Sequence, residues 1–307
     1  MLRRLLLEAA GDVRLRRVAE RHPAARALAR RFVAGQTVDD ALEAARALNR
    51  RGLKVSLDLL GEHVARPDEA ERAAEVYLRL LDAIAERRLD ANVSLKLTQF
   101  GIDLDESACE RRLERVVERA RLHRSFVRID MEGSGYTERT LAIFARVHAR
   151  HPGDVGPVIQ AYLYRSDADV RALIRLGARV RLCKGAYAEP PEVAYPDKAD
   201  VDRSYIRLAE QLLLLGNYPG VATHDARIIA HVKRFAERWE IGRERFEFQM
   251  LYGIRRDLQE ELVGQGYNVR IYVPFGEAWY PYLTRRLAER PANLGFVAGS
   301  IAREALK

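Results

Sequence analysis

Short apolar runs alternate with longer amphipathic stretches over most of the chain after residue 52. The runs hold four to eight residues with many Val, Ile, Leu and Phe, which is typical of strands covered on both faces. Between the runs, apolar residues recur three and four positions apart, a spacing that predicts helices with one buried face. The predicted strands are 53–60, 92–97, 126–131, 156–162, 179–184, 221–224, 246–251 and 268–273.

This regular alternation predicts one α/β domain. The helical stretches between the strands include 68–88, 107–123, 137–150, 166–176, 201–215 and 226–239. Eight strands in about 220 residues, each followed by a helix, are typical of a (β/α)8 TIM barrel. A doubly wound sheet is the alternative, but no GxGxxG sequence follows the first strand. We expect a single catalytic barrel domain over residues 51–307, because no linker or repeat divides it.

Residues 1–50 are helical in pattern and are predicted to form an N-terminal arm. They hold eleven Arg and six acidic residues, so about five of the eight excess positive charges of the chain lie there. Amphipathic packing with a solvated face is the favoured interpretation. Contact with an anionic membrane surface or a partner is the alternative.

Hydropathy and lysine content further limit what kind of protein this is. No apolar run approaches the roughly 20 residues that cross a bilayer, and no small-residue cleavage site follows the first leucines, so we expect a cytoplasmic protein. Only six of the 52 basic residues are lysines. In so Arg-rich a chain, an internal lysine such as Lys96 or Lys184 is expected to need its compact ammonium group.

Polar residues stand at the ends of seven of the eight predicted strands. Barrel enzymes place their chemistry there, and burying this much polarity is unfavourable unless a ligand satisfies it. A phosphorylated cofactor with a polar ring system would use such cations and amides, whereas no cluster has metal-ligand spacing. The alternative for any single residue is structural, such as a Lys96–Asp130 ion pair or His224 as a helix cap. The residues are Lys96, Asp130, Gln160, Arg181, Lys184, Thr223, His224, Gln249 and Tyr272.

Two segments beside the predicted mouth add to this pattern. Residues 188–202, rich in proline and charge, are predicted to form a lid after the fifth strand. A helix after the eighth strand carries the adjacent pair Arg285 and Arg286, with Glu289 one turn later. A guanidinium fork matches a carboxylate, so this helix is predicted to bind a small acid and close the mouth. A solvated helix face is the alternative.

Eight sequence blocks resemble the proline dehydrogenase family, in that family's order. The blocks are VSLKLTQFG (93–101), RIDMEG (128–133), VIQAYLYR (158–165), VRLCKGAY (180–187), ATHD (222–225), FEFQMLYG (246–253), RIYVPFG (270–276) and YLTRRLAERPANLGF (282–296). Each block alone is of modest specificity, whereas eight together are highly specific. The short chain is similar to the monofunctional bacterial enzymes rather than to the fused proline utilisation proteins.

The resemblance implies a distorted (β/α)8 barrel with tightly, non-covalently bound FAD. The implied reaction is oxidation of L-proline to Δ1-pyrroline-5-carboxylate, the first step of proline catabolism to glutamate. Hydride would pass from proline C5 to flavin N5, and electrons would pass on to a quinone. The resemblance leaves open a peripheral contact with the inner face of the cell membrane and self-association into a homo-oligomer. It implies no nucleic-acid partner.

The resemblance also assigns residues. Asp130 and Arg181 would be catalytic, and Arg285, Arg286 and Lys96 would hold the proline carboxylate. The implied substrate contacts are Lys96, Leu251, Tyr272, Arg285, Arg286 and Glu289. The implied flavin contacts are Met131, Gln160, Arg181, Lys184, Gly185, Ala186, Tyr187, Thr223, His224 and Gln249. Ala188 departs from relatives that carry tryptophan there, which puts one flavin-stacking contact in doubt.

Three other functions are compatible with the residues. A Schiff-base aldolase would use Lys96 or Lys184 as its nucleophile. Another flavin barrel, similar to methylenetetrahydrofolate reductase, would share the cofactor and differ in substrate. A basic scaffold that binds nucleic acid is disfavoured, because the excess charge is concentrated in the arm and no RNA-binding motif is present.

Overall fold

The computed structural model describes residue 25 and residues 28–289, without the side chains of residues 285 and 287–289. Within this part of the chain, eight parallel strands form a closed barrel in which each strand pairs with the next and the last pairs with the first. The strands are β1 (Lys54–Leu59), β2 (Ala91–Leu95), β3 (Val127–Ile129), β4 (Val155–Gln160), β5 (Arg181–Cys183), β6 (Gly220–Ala222), β7 (Glu247–Leu251) and β8 (Asn268–Phe275). The helices are α1 (Val38–Asn49), α2 (Pro67–Glu86), α3 (Glu106–Leu122), α4 (Ser134–Arg150), α5 (Ser166–Arg175), α6 (Lys198–Leu215), α7 (Ala226–Arg238), α8 (Arg256–Gly264) and α9 (Trp279–Glu289).

The predicted (β/α)8 barrel is confirmed. Each predicted apolar run contains a strand, although several runs extend beyond the hydrogen-bonded ladder. Ala161 and Tyr162, for example, lie past the end of β4 and are still buried. The pattern of apolar residues indicates which residues are buried, not which form strand hydrogen bonds. It therefore overestimates the length of the strands at the barrel mouth.

The predicted N-terminal arm includes α1, and its start is fixed by a reciprocal pair of hydrogen bonds. Thr37 Oγ1 accepts from the backbone N–H of Asp40 at 3.1 Å, and Asp40 Oδ2 accepts from the backbone N–H of Thr37 at 2.9 Å. Apolar residues on one face of α1 are buried in the same core as the barrel strands. The predicted segment 1–24 lies outside the described residues.

The main hydrophobic core lies between the barrel and its helices. Val55 and Leu57 of β1 and Ile271 of β8 point outward into this core and are fully buried. Tyr77 on α2 fastens two strands there, because its hydroxyl donates to the carbonyl of Ser94 at 2.8 Å and accepts from a β1 backbone N–H. Over residues 28–289, no helix is both long and apolar enough to cross a bilayer.

The barrel interior, in contrast, is filled largely by polar and charged side chains. Arg181 on β5 donates to Ser94 Oγ on β2 at 3.2 Å, and Arg270 on β8 donates to Asn92 Oδ1 on β2 at 3.1 Å. These strands are not neighbours, so the bonds cross the interior. Barrels are usually filled by branched apolar residues, and this polar filling links the floor to the mouth.

A buried ion pair forms part of the floor of the barrel. Arg270 Nε donates to Glu247 Oε1 at 2.8 Å, and Arg270 Nη1 also donates to the carbonyl of Val55 at 2.8 Å. Burial alone would raise the pKa of Glu247, but Arg270 and the neighbouring amide of Gln249 lower it to about 2. The carboxylate is therefore ionised under all ordinary conditions.

We expect Glu247→Gln to remove an acid-sensitive part of the stability. The native pKa lies below the unfolded value, so this stabilisation is present above about pH 4.5 and is lost as the pH falls towards 2. It amounts to about 3 kcal/mol in total, with about 2 kcal/mol lost by pH 3. Urea unfolding at pH 7 and pH 3 should show a smaller pH effect in Glu247→Gln than in wild type, alongside lower stability at pH 7. Equal pH effects in the two proteins would contradict this assignment.

Candidate functional site

Four ionised side chains meet at the mouth of the barrel. Lys96 Nζ donates to Asp58 Oδ1 at 2.9 Å and Oδ2 at 3.1 Å, and lies 3.9 Å from Asp130 Oδ2. Arg181 Nη1 donates to Asp130 Oδ1 at 2.7 Å. We call Asp58, Lys96, Asp130 and Arg181 the mouth quartet. Two cations balance two carboxylates, so the quartet is neutral as a whole.

Asp58 is the member that the sequence interpretation missed. The alternative Lys96–Asp130 ion pair is present at 3.9 Å, but the hydrogen-bonded partner of Lys96 is Asp58, which is fully buried. Burial raises the pKa of Asp58 to about 6 although Lys96 lowers it, so the carboxylate is the main form at pH 7. Burial opposes the charge on Lys96, but Asp58 and Asp130 raise the pKa of this ammonium group above its usual value. A carboxylate inside the apolar run 53–60 was the signal that could have identified it.

Tyr272 joins the quartet from β8. Its hydroxyl donates to Asp130 Oδ2 at 2.8 Å, and its ring lies 5.3 Å from the Arg181 guanidinium carbon. Burial and the charge of Asp130 raise the pKa of Tyr272 well above its usual value, so the hydroxyl stays a donor. Asp130 therefore accepts from both Tyr272 and Arg181, which fixes the orientation of its carboxylate.

Arg181 also forms a hydrogen bond on the side that faces the barrel interior. Its Nε donates to Gln249 Oε1, and Gln249 Nε2 donates to Glu247 Oε1 at 2.5 Å. Gln249 was predicted to contact a cofactor, and the structure gives both ends of its amide a partner in the interior. A continuous set of hydrogen bonds thus runs from the floor pair Glu247–Arg270 to the mouth quartet.

The loops after β2, β3 and β4 are tied together beside the quartet. Glu132 is buried and accepts from the backbone N–H of Thr98 at 3.1 Å and from the Thr98 hydroxyl. Gln160 Nε2 donates to the carbonyl of Glu132 at 2.8 Å. Met131, between Asp130 and Glu132, is buried. These bonds keep the predicted contacts Met131 and Gln160 close to the residues of the quartet.

The remaining predicted cofactor contacts lie after β5 and β6. Lys184 Nζ donates to Asp202 Oδ1 at 2.5 Å and to Asp225 Oδ2 at 3.0 Å. Gly185 has φ of +119°, and a Cβ there would lie 2.4 Å from the Tyr162 ring, so only glycine fits this turn. Ala186 and Tyr187, which follow it, are half-buried.

His224 does not cap a helix. Its Nε2 accepts from the backbone N–H of Leu251 at 2.9 Å, which ties the end of β6 to the end of β7. Asp225 caps α7 instead, accepting from the backbone N–H of Arg227 at 3.1 Å, and Thr223 Oγ1 accepts from the backbone N–H of Asp225. The capping alternative for His224 was therefore wrong.

The segment predicted to be a lid begins as a loop and ends as a helix. Glu189 Oε1 accepts from the backbone N–H of Ser134 at 2.7 Å, and Ala194 pairs with Leu163. Residues 198–202 already belong to α6, three residues before the predicted helix start. Lys198 forms an ion pair with Asp202 in that first turn. The loop is therefore fastened at its middle and at its end.

Helix α9 packs beside the mouth. A second hydrophobic cluster joins this helix to the segment before α1 and borders Tyr272; its buried members are Ala29, Phe32, Val33, Leu60, Trp279, Tyr280, Tyr282 and Leu283. The Arg286 guanidinium carbon lies 5.3 Å from the centre of the Tyr282 ring. The side chains of Arg285 and Glu289 lie outside the described residues, so their predicted contacts stay predictions. Leu251, the predicted wall of the substrate pocket, ends β7 and is half-buried.

Comparison with known proteins agrees with this geometry. The family model described as Proline dehydrogenase matches residues 41–299. The chain is 45% identical over 274 residues to Proline dehydrogenase of Deinococcus radiodurans, covering 88% of each chain. It is 44% identical over 276 residues to Proline dehydrogenase 1 of Bacillus subtilis, covering 90% of this chain and 91% of the relative. The crystal structure of proline utilization A from Bdellovibrio bacteriovorus inactivated by N-propargylglycine superimposes with a TM-score of 0.81 at 28% identity. It covers 91% of this chain, and the chain spans 34% of that longer protein.

We expect Asp58→Asn to destabilise the protein by about 3–5 kcal/mol, because it leaves the buried Lys96 ammonium without its hydrogen-bonded carboxylate. Asp90→Asn is a matched control, since it breaks the exposed pair with Lys54 near the start of β1 and should cost under about 1 kcal/mol. Urea unfolding at pH 7 measures both. A loss in Asp58→Asn no larger than in Asp90→Asn would rule out the proposed importance of the buried pair.

Proposed function

The chain belongs to the proline dehydrogenase family and is an enzyme of this type; from this premise, we propose that it uses FAD to oxidise L-proline to Δ1-pyrroline-5-carboxylate. The observation that carries the proposal is the neutral mouth quartet, enclosed by Tyr272 on β8 and bordered by α9. This arrangement provides fixed charges at the barrel mouth and a helix that carries arginines beside it.

The side chains at the mouth fit a flavin nucleotide. Arg181 and Lys184 supply positive charge, and Gln160 supplies an amide beside them. Gly185 brings the backbone of its turn close to the Tyr162 ring, where any side chain would clash with that ring. Thr223 and His224 add short polar groups on the neighbouring strand end. A diphosphate and a ring with several hydrogen-bonding positions would use this set of donors.

The charge balance of the quartet bears on which residues would attract the substrate carboxylate. The charges of Lys96 and Arg181 are already offset by Asp58 and Asp130. We propose that Arg285 and Arg286 on α9 attract the carboxylate, with Lys96 as a further donor. Under this proposal, Glu289 pairs with the arginines and limits their movement.

The pyrrolidine ring would then lie between Leu251 and Tyr272, which sit on adjacent strands at paired positions. When bound, the flavin supplies the hydride acceptor. Arg181 would supply a positive charge to the bound flavin, and Asp130 keeps that guanidinium in place at 2.7 Å. The cations that hold the carboxylate also lower the pKa of the adjacent amine, which favours the neutral form from which hydride leaves more easily.

We further propose that the electrons pass to a quinone, as the resemblance implies, and that the enzyme meets the membrane peripherally. The arm is the candidate surface for that contact, since residues 1–50 carry about five of the eight excess positive charges.

The visible spectrum of the purified protein tests the proposed reaction. We expect a yellow protein whose flavin absorbance is bleached by L-proline in the absence of oxygen. A colourless protein trapped by borohydride with its substrate would support the Schiff-base aldolase instead. Bleaching by NADH and not by proline would support the other flavin barrel.

Arg286→Met should raise the KM for proline on the order of 10- to 100-fold, because it removes a charged hydrogen-bond donor to the carboxylate. Arg286→Lys should lie between Met and wild type, since it keeps the charge and loses the planar fork. The flavin content per chain should stay unchanged. Arg175→Met, on the exposed end of α5, is the control. Steady-state kinetics with equal KM values for Arg286→Met and Arg175→Met would exclude the clamp.

A further inference from the structure

Two arginines at the floor of the barrel have no carboxylate partner within the described part of the chain. Arg128 lies on β3 and is 3% exposed, and Arg179 lies two residues before β5 and is half-buried. Side chains alternate along a strand, so Arg179 faces the barrel interior as Arg181 does. We call Arg128 and Arg179 the floor arginines. Neither belongs to the mouth quartet or to the floor pair Glu247–Arg270.

The floor arginines lie close together. Arg128 Nη1 donates to the backbone carbonyl of Arg179, and also to that of Pro157 at 3.0 Å. The two guanidinium carbons lie 4.8 Å and 4.5 Å from the centre of the same ring, that of Phe126. Gly156 is paired with Arg128 across β3 and β4, and a Cβ there would lie 2.9 Å from Arg128 Nη1. The glycine therefore leaves room for the buried guanidinium group.

The charges at the floor are not balanced. Glu247 is a described carboxylate that favours the charged form of both floor arginines, but its oxygens already accept from other groups. Its Oε1 accepts from Arg270 at 2.8 Å and from Gln249 at 2.5 Å, and its Oε2 accepts from the Tyr218 hydroxyl at 3.2 Å. Three guanidinium groups thus share one carboxylate, which leaves an excess of two positive charges.

The floor arginines also have unused hydrogen-bond donors. Arg128 Nε and Arg179 Nε are both buried, and neither has a partner among the described residues. Burial, together with neighbouring cations, lowers the pKa of Arg128 and of Arg179. A guanidinium group nevertheless stays protonated in proteins. A buried charge is unfavourable unless it is paired, so these two groups require an anion.

A small, singly charged anion matches this site. The floor arginines provide donors and no acceptor, and the Phe126 ring packs against both of them. Removing an ion from water costs more as its charge rises, so a phosphate dianion is disfavoured in so buried a position. Arg179 is half-buried and so connects the site to solvent.

We propose that the floor arginines bind a halide ion of the size of chloride, and that this ion stabilises the closed barrel. The ion joins β3 to the segment before β5 and offsets part of the excess positive charge. The site is separate from the mouth, so this assignment does not depend on the proposed reaction.

Thermal unfolding of the full-length chain tests this site, with sodium chloride replacing sodium gluconate at constant ionic strength. We expect the Tm of the wild type to rise saturably, by about 2 °C once chloride reaches roughly ten times its Kd. Arg128→Leu should lose this dependence, because an apolar side chain replaces the buried charge that requires the ion. Arg175→Leu, the same substitution at the exposed end of α5, is the matched control and should keep it.

Three outcomes would overturn the assignment: no saturable effect of chloride on the wild type, an equal effect in Arg128→Leu, or stabilisation by phosphate and not by chloride. Arg179→Gln covers the case in which Arg128→Leu fails to fold, and it should also lose most of the chloride effect. A direct second measurement uses crystals of the wild type grown in sodium bromide. The anomalous signal should place a bromide ion against Arg128 Nε and Arg179 Nε, and its absence from the floor would contradict the site.

Discussion

The buried pair of Lys96 and Asp58 is the interaction on which the mouth of the barrel depends. An ammonium group removed from water needs a carboxylate at hydrogen-bond distance, and Asp58 provides both of its oxygens. Because Asp58 balances the charge of Lys96, Lys96 stays near Asp130. Asp130 in turn accepts hydrogen bonds from Arg181 and Tyr272. The two positive and two negative charges of the quartet therefore cancel, and the quartet as a whole carries no net charge that would attract an anion.

Hydrogen-bonded pairing of buried charges extends from the mouth through the barrel interior. Arg181 is anchored through Gln249 to Glu247, and Glu247 to Arg270 at the floor. Stability from apolar contacts comes instead from the outer layer, where the strands pack against their helices. The chain thus separates two tasks: the outer faces of the strands hold the fold, and the inner faces position charge. A second set of balanced charges, around Lys184, repeats this design where the proposed cofactor begins.

The sequence predicted most of the fold because apolar residues follow one another in the eight strands, whereas they recur three and four positions apart in the helices between them. It also predicted that the strand ends carry polar side chains, and the structure brings Asp130, Arg181 and Tyr272 together at the mouth. It did not reveal partners that depend on closure of the barrel. Asp58 was overlooked inside an apolar run, although the alternative Lys96–Asp130 ion pair is present at 3.9 Å. His224 was given a capping alternative that Asp225 fulfils. Such pairings depend on how strands far apart in sequence face one another, which local pattern does not encode.

The most direct measurement is a double-mutant cycle on Asp58→Asn and Lys96→Met, followed by urea unfolding and by the KM for proline. The double variant should be more stable than Asp58→Asn alone by about 2 kcal/mol or more, because the uncompensated ammonium is gone. Its KM should nevertheless match that of Lys96→Met. Additive losses of stability would contradict the claim that the buried pair is the foundation of the site.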